Sequence, residues 1–369
     1  MAGLMQENVV AMDIEADSMY HYAEQVCLIQ IATPAECLLI DPLAVKDVSP
    51  LRPLLQEPAI TKIFHGASYD VRCLDMCHNM KINNLFDTEI ACRFLGLTET
   101  GLNAVLQHIF QVTLDKKYQK KDWSRRPLSE EMLTYAARDV LYLIPLHAIL
   151  KKQLEAKQRT AWVDEECRNI SIARPAPDTG RPLFLKVKGT GRLSRRSLAV
   201  MEKLLEARLD IARRKDLPPF KILSPGALIR LAEEKPAQRK ALKRSGILSE
   251  KQMSMYAEPV CDAIQKALAL ADEDLPVYPR EKRTPLSRKA SLRVNALKQW
   301  RESAAEKIGI DSGIILPNAL AISIARENPQ TVGQLDKICE MKDWQKKTFG
   351  REIITVLNAP PGHEPEPNL

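Results

Sequence analysis

The sequence predicts a mixed α/β domain followed by two all-α bundles. Short apolar runs separated by turn residues occupy the first 64 positions, as is typical of strands. Beyond Phe64, apolar residues recur every three or four positions, which predicts helices. Two proline-rich segments, 174–182 and 272–288, are typical of linkers. The chain is therefore expected to divide into blocks at 1–170, 186–271 and 288–358.

The first block begins with strands and continues with helices. The predicted strands are Val9–Met12, Val26–Ile31, Cys37–Ile40 and Thr61–Phe64. Short connections favour an antiparallel meander for the first three. The predicted helices are Tyr69–Cys77, Thr88–Leu95, Leu102–Phe110 and a long one over Ser129–Leu154, with Ser129 as its N-cap.

The second and third blocks resemble each other. Each begins with a basic amphipathic helix, at Arg195–Arg213 and at Leu292–Ala305. Each then carries an apolar helix that ends before a Glu-Xaa-Pro element, over 228–236 and over 320–329. These parallels predict a duplicated module of four or five helices.

Composition and length exclude several classes of protein. A chain of 369 residues exceeds one ordinary domain, and 45% apolar with 27% charged residues is typical of globular proteins. No apolar run approaches the roughly 18 residues that span a bilayer, and the first ten residues do not resemble a secretion signal. We therefore expect a cytoplasmic protein that makes no membrane contact, with its eight cysteines reduced.

The net charge of +7 is unevenly distributed. Residues 1–165 contain 17 basic and 22 acidic side chains, net −5, whereas residues 166–369 contain 37 and 25, net +12. A basic half is typical of polyanion binding, although a basic surface can also be merely solvated.

Four carboxylates are candidates for metal-dependent chemistry. Asp13 and Glu15 flank Ile14 at the end of the first strand, and alternation places both on one face. Asp70 follows the strand ending at Phe64, and Asp139 lies in the long helix. Clustered carboxylates repel one another unless a cation compensates, and hard oxygen ligands suit Mg²⁺ or Mn²⁺. Tyr135 precedes Asp139 by four residues, so both project from the same helix face.

The order of these motifs resembles the DEDD superfamily of 3′-5′ exonucleases, in its tyrosine-bearing branch. The motifs are Asp13-Ile-Glu15, Phe64-His-Gly-Ala-Ser-Tyr-Asp70 and Tyr135-Ala-Ala-Arg-Asp139. Connecting segments such as Asp122-Trp-Ser-Arg-Arg-Pro-Leu128 sharpen the resemblance to the ribonuclease D family, and the helical modules resemble HRDC domains. The family commonly has Thr at the position of Ile14, and its usual segment before the first strand is expected to be short or absent here.

The resemblance implies a ribonuclease H-like exonuclease domain with two HRDC bundles. It implies two Mg²⁺ or Mn²⁺ ions held by the four carboxylates, with Asp13 bridging and Tyr135 orienting the attacking water. The implied reaction is hydrolysis of RNA from its 3′ end to 5′-mononucleotides, with transfer RNA precursors as the first candidate substrate. A monomer is favoured.

Two other functions stay open at the level of sequence. One is a catalytically silent RNA-binding protein, against which the intact carboxylate set argues. The other is a DNA exonuclease, because the same chemistry cleaves either polymer. A helicase is excluded, since the chain lacks a Gly-rich GxxxxGK[ST] phosphate loop.

Clustered cations are candidates for phosphate contacts. They are Lys117, Lys120, Lys121, Arg125 and Arg126 in the first block, and Arg195 and Arg196 in the second. Trp123 lies within the first cluster, either as a stacking platform or, as we favour, as an anchor to the core. We expect Asp87 to cap the helix that follows it, and His65 to pack or hydrogen-bond within the fold.

Overall fold

A computed structural model describes residues 3–174, 180–279 and 285–359. They form two compact units. One contains Met1–Glu15, Val26–Arg174 and Thr284–Leu369, so the third block belongs to the same unit as the first. The other contains Ala16–Gln25 and Pro175–Arg283. None of the helices in the described ranges combines the length and the apolar character required to cross a bilayer.

A five-stranded mixed sheet lies at the centre of the first unit, in the order β3-β2-β1-β4-β5. The strands are β1 (Val9–Ala16), β2 (Val26–Ala32), β3 (Cys37–Ile40), β4 (Thr61–Phe64) and β5 (Leu85–Asp87). β1 is parallel to β4 with Val9 opposite Thr61, and β4 is parallel to β5. β2 and β3 are antiparallel, as the meander predicts. The predicted mixed α/β fold is confirmed, whereas sequence patterning missed β5 because it has only three residues.

Eight helices of the first block surround this sheet. They are α1 (Pro42–Val45), α2 (Arg52–Gln56), α3 (Ser68–His78), α4 (Thr88–Leu95), α5 (Leu102–Phe110), α6 (Glu130–Leu141), α7 (Leu143–Ala156) and α8 (Thr160–Ile172). The prediction of one long helix over Ser129–Leu154 is wrong, because the helix is interrupted at Tyr142, between α6 and α7. Pro145 explains the break, since it lacks an N–H and its ring clashes with the carbonyl four residues earlier.

The other two blocks are all-helical, as predicted. The second unit contains α9 (Arg195–Lys215), α10 (Pro219–Ile222), α11 (Pro225–Glu234), α12 (Arg239–Ser245) and α13 (Glu250–Leu268). The third block contains α14 (Arg288–Ile308), α15 (Ser312–Ile315), α16 (Asn318–Glu327) and α17 (Asp343–Asn358). Short 3₁₀ segments lie at Leu4–Gln6, Ser49–Leu51, Leu183–Lys186, Thr190–Arg192 and Val332–Lys337.

The predicted duplication is visible in matching helix ends. Lys235 follows α11 and Asn328 follows α16, and both cap residues are in the left-handed conformation with φ near +50°. A proline follows each, at Pro236 and at Pro329, and neither can continue a helix.

Candidate active site

β1 carries two of the predicted carboxylates out of the core. Val10, Ala11 and Met12 are fully buried, and Asp13 and Glu15 follow them with partial exposure. Carboxylate oxygens of Asp13, Glu15 and Asp139 lie within 4.8 Å of one another. The sequence prediction that alternation places Asp13 and Glu15 together is therefore confirmed, and α6 brings Asp139 to them.

Asp70 lies beside this cluster in the first turn of α3, where it is 6% exposed. Its carboxylate interacts with the backbone N–H of Ile14 on β1, which partly offsets the rise that burial causes in its pKa. Its charge contributes to raising the pKa of both Asp13 and Glu15. The four predicted carboxylates thus share one electrostatic environment.

Asp87 fixes the turn from which α3 begins. Its carboxylate accepts hydrogen bonds from the backbone N–H groups of Gly66 at 2.9 Å and Ala67 at 2.8 Å. It also accepts from Glu89 and Ile90 in the first turn of α4, which confirms the predicted cap. Gly66 has φ +78°, a backbone conformation that glycine adopts readily. One buried carboxylate therefore connects the starts of α3 and α4.

His65 is part of the same structural network. The hydroxyl of Thr88 donates to the carbonyl of Phe64 at 2.9 Å, so at 2.9 Å from His65 Nδ1 it acts as the acceptor. Burial lowers the pKa of His65, which favours the neutral ring. The expectation that His65 hydrogen-bonds within the fold is confirmed.

Tyr135 and Asp139 share one face of α6, as their spacing predicts. The phenol interacts with the Asp139 carboxylate, and this interaction favours the protonated phenol and the ionised carboxylate in their respective pKa values. Burial, then the charges of Asp139 and Glu15, raises the pKa of Tyr135, so its hydroxyl keeps its proton. The ring centroids of Tyr118 and Trp123 lie 5.9 Å and 6.1 Å from that of Tyr135.

The carboxylates resist ionisation together. Burial raises the pKa of Glu15 to about 9, and Asp139 and Asp70 add to this shift. Burial is also the main cause that raises the pKa values of Asp70 and Asp139 to about 7. The pKa of Asp13 is raised well above its usual range by burial and by its acidic neighbours. Clustered hard oxygens that repel one another are the donor set that fits a divalent cation.

The predicted basic residues have different environments. Lys117, Lys120 and Lys121 are exposed between α5 and α6, and the side chain of Arg125 is 82% exposed beside Asp122. Arg126 is instead engaged within the fold, where it pairs with Asp41.

The two arginines of the second unit also bind their own chain. Arg195 donates to the Leu275 carbonyl, and Arg196 donates to the Leu270 carbonyl and to Asp272. Trp123 is 1% exposed, which confirms its predicted role as an anchor. For Arg126 and Arg196, the clustering of basic residues in the sequence did not show that these side chains are engaged within the fold.

Comparisons with known proteins agree with this geometry. Residues 2–155 match the 3′-5′ exonuclease domain family, and residues 197–264 and 292–357 match the HRDC domain. Ribonuclease D of Bartonella henselae is 31% identical over 97% of this chain and 87% of its own length. The chain belongs to the ribonuclease D family. Ribonuclease D of Escherichia coli is 31% identical over 72% of this chain and 71% of its own length.

Solved structures extend the similarity to the fold. Ribonuclease D of Escherichia coli, an exoribonuclease involved in structured RNA processing, matches with a TM-score of 0.74 and 25% identity. The match covers 96% of this chain and 94% of that one. The catalytic core of RRP6 from Trypanosoma brucei matches 73% of this chain and 77% of its own, with a TM-score of 0.63 and 29% identity. The chain is a hydrolytic 3′-5′ exoribonuclease of the ribonuclease D family.

Proposed function

We propose that this exoribonuclease releases 5′-mononucleotides from RNA 3′ ends with two divalent ions, Mg²⁺ or Mn²⁺. Asp13, Glu15, Asp70 and Asp139 would hold them. The observation that carries this proposal is the convergence of carboxylate oxygens from Asp13, Glu15 and Asp139 within 4.8 Å of one another. Asp70 is near enough for its charge to raise the pKa of Asp13. When bound, such ions lower the pKa of water and stabilise the departing 3′ oxygen.

Burial, with mutual repulsion added to it, prepares the carboxylates for this role. Burial raises the pKa values of Glu15 and Asp139, and the charges of Asp139 and Asp70 add to the shift of Glu15, so several negative charges are unfavourable in this cluster. A bound cation removes that penalty, so the same residues that destabilise the ion-free protein give the site its affinity. Asp13 is central, because the charges of all three other carboxylates act on it.

Tyr135 is proposed to orient the attacking water. Its raised pKa keeps the hydroxyl protonated, and its interaction with Asp139 puts the phenol beside the carboxylates. The phenol oxygen can then accept a hydrogen bond from a water and fix its approach to the scissile phosphorus.

Exposed cations near this site are proposed to hold the RNA backbone. They are Lys117, Lys120, Lys121 and Arg125, with Arg195 as a further contact on the first bundle. Contacts to phosphate are independent of base sequence and weaken steeply as salt rises. Affinity for RNA is therefore expected to fall between 50 and 200 mM salt, by about tenfold or more.

The physiological RNA is proposed to be a transfer RNA precursor with a 3′ extension, acted on by a cytoplasmic monomer. The involvement of the Escherichia coli relative in structured RNA processing supports structured RNA as the substrate class. We also propose domain boundaries at 1–170, 186–271 and 288–358, which enclose the matched family segments.

Digestion of matched substrates tests this proposal. The 5′-labelled strands are a single-stranded RNA, the DNA of the same sequence, and a transfer RNA precursor with a 3′ trailer, each with Mg²⁺. A ladder shortening from the 3′ end of both RNAs, with trimming of the precursor that stops near the mature end, is expected. Faster digestion of the DNA would favour the DNA-exonuclease alternative, and no preference for the precursor trailer would contradict the assigned substrate.

A further inference from the structure

Arg126 uses every donor of its guanidinium within the protein. Its Nε and Nη2 form a bidentate pair with the Asp41 carboxylate at 2.6 and 2.7 Å. The remaining Nη2 hydrogen reaches the Cys27 carbonyl at 2.8 Å. Nη1 donates to the carbonyls of Trp123 at 2.7 Å and of Arg125 at 2.8 Å. All five N–H donors of an arginine are thus satisfied, so no donor is left for a phosphate.

These contacts join three parts of the chain. Arg126 lies in the loop between α5 and α6, Cys27 lies on β2, and Asp41 is the N-cap of α1, where it accepts from the Leu43 and Ala44 N–H groups. The Arg126 and Asp41 side chains are each only 29% exposed. A bidentate pair with this degree of burial fixes orientation as well as distance. Arg126 therefore fastens the loop to β2 and to the start of α1.

Arg126 also donates to the backbone carbonyl of Trp123, so these contacts fix the chain at Trp123. The indole is buried in a small cluster with Cys27, Leu28 and Ala136. Tyr135 packs against this cluster from α6, with its ring centroid 6.1 Å from that of Trp123. The Tyr135 ring thus packs against a residue whose backbone carbonyl Arg126 holds.

We propose that Arg126 and Asp41 are positioning residues for the reaction, which hold Trp123 against Tyr135 and so place the phenol beside Asp139. The inference rests on the proposed role of Tyr135 in orienting water. It also reassigns Arg126, which its sequence context suggests as a phosphate contact. The adjacent Arg125 is the matched comparison, because it has the same charge but an 82% exposed side chain paired only locally with Asp122.

Steady-state kinetics on a 3′-labelled RNA with Mg²⁺ test the inference. Arg126→Ala and Asp41→Asn are expected to lower kcat by about 10- to 100-fold, with KM changed by less than about threefold. Asn keeps a cap acceptor for α1, so Asp41→Asn remains informative if Arg126→Ala fails to fold. Arg125→Ala is expected to raise KM instead. Asp41→Asn is decisive, because removing a negative charge cannot weaken a phosphate contact.

A double-mutant cycle with Tyr135→Phe shows whether Arg126 acts through the phenol. In the Tyr135→Phe background, which lacks the hydroxyl, Arg126→Ala is expected to lower kcat by less than about threefold further. If the double variant loses kcat by the product of the two single losses, the positioning inference is overturned. It is also overturned if Arg126→Ala and Asp41→Asn keep a wild-type kcat while Tyr135→Phe is slow. Neither result affects the proposed role of Tyr135. A wild-type kcat in Tyr135→Phe overturns the proposed role of Tyr135 and the inference with it.

Discussion

Arg159 donates a hydrogen bond to the carbonyl oxygen of Ile308, 149 residues further along the chain. The same guanidinium donates to the carbonyl of Phe94 at 2.6 Å, so one cation caps the C-terminal ends of α4 and α14. Arg159 is 6% exposed and lies over the ring of Trp162. The third block is therefore joined to the exonuclease domain by a buried charge, within a hydrophobic core that is continuous between them.

Arg159→Ala is expected to destabilise the first unit by about 3 kcal/mol, because it leaves two helix-end carbonyls without their charged donor. The corresponding fall in Tm is about 6 °C or more, measured by differential scanning calorimetry. Arg168→Ala is the control, since Arg168 is exposed on α8, the helix that begins directly after Arg159. Equal melting temperatures for the two variants would contradict the structural role of Arg159.

A second contact in this region involves two glycines. Gly96 ends α4 with φ +91°, and a Cβ at this position would collide with the carbonyl oxygen of Gly309 at the end of α14. Gly96→Ala is expected to cost about 2 kcal/mol or more, since it adds backbone strain to a steric clash. Chemical denaturation compares the Gly96→Ala protein with Gly101→Ala. At Gly101 φ is −65°, and an added Cβ would have no atom of a non-neighbouring residue within 4 Å. A loss of stability in both variants alike would argue against close packing at Gly96.

Asp87→Ala is expected to reduce both stability and turnover. The substitution leaves four backbone N–H groups without their acceptor, including those of Gly66 and Ala67 that precede α3. We expect kcat to fall by about tenfold or more, because Asp70 depends on the position of α3. Kinetics and thermal melts measure the two effects. An Asp87→Ala protein with a normal kcat would show that Asp70 is positioned by other contacts.

Stability of the metal-free protein is expected to fall as pH rises. The folded-state pKa values of Asp70 and Asp139, about 7, and of Glu15, about 9, exceed ordinary carboxyl values. Their contribution to stability is therefore fully present below about pH 4 and is lost as pH rises through 7 to 9. Mg²⁺ should raise Tm more at pH 8.5 than at pH 5.5, since it binds the ionised cluster.

Melting curves in EDTA and in MgCl₂ at both pH values measure this effect. Glu15→Gln is the comparison, because it removes the carboxyl group with the highest of the three pKa values. It is expected to raise the Tm of the EDTA-treated protein at pH 8.5 and to reduce the Mg²⁺ shift. An equal Mg²⁺ shift at both pH values, unaffected by Glu15→Gln, would contradict the electrostatic account.

Local patterns in the sequence predicted most of the site. The period of two placed Asp13 with Glu15, and the spacing of four placed Tyr135 with Asp139, because both depend only on local geometry. Asp70 was a candidate from its place after the strand ending at Phe64, but only the resemblance implied that it converges with the other carboxylates. Arg126 was misjudged since its partners lie far away, with Asp41 85 positions and Cys27 99 positions earlier. The Arg159 contact to Ile308 had no sequence signal for the same reason.

Turnover of RNA by carboxylate variants shows whether Asp13 and Asp139 belong to the active site. With Mg²⁺ and a 3′-labelled RNA, the wild-type protein is expected to release labelled 5′-mononucleotide. Asp13→Asn and Asp139→Asn should do so more slowly by about 100-fold or more, with melting temperatures that show a folded protein. Glu130→Gln, an exposed acid on α6, should keep the wild-type rate. Wild-type rates from folded Asp13→Asn and Asp139→Asn proteins would contradict the claim that these carboxylates form the active site.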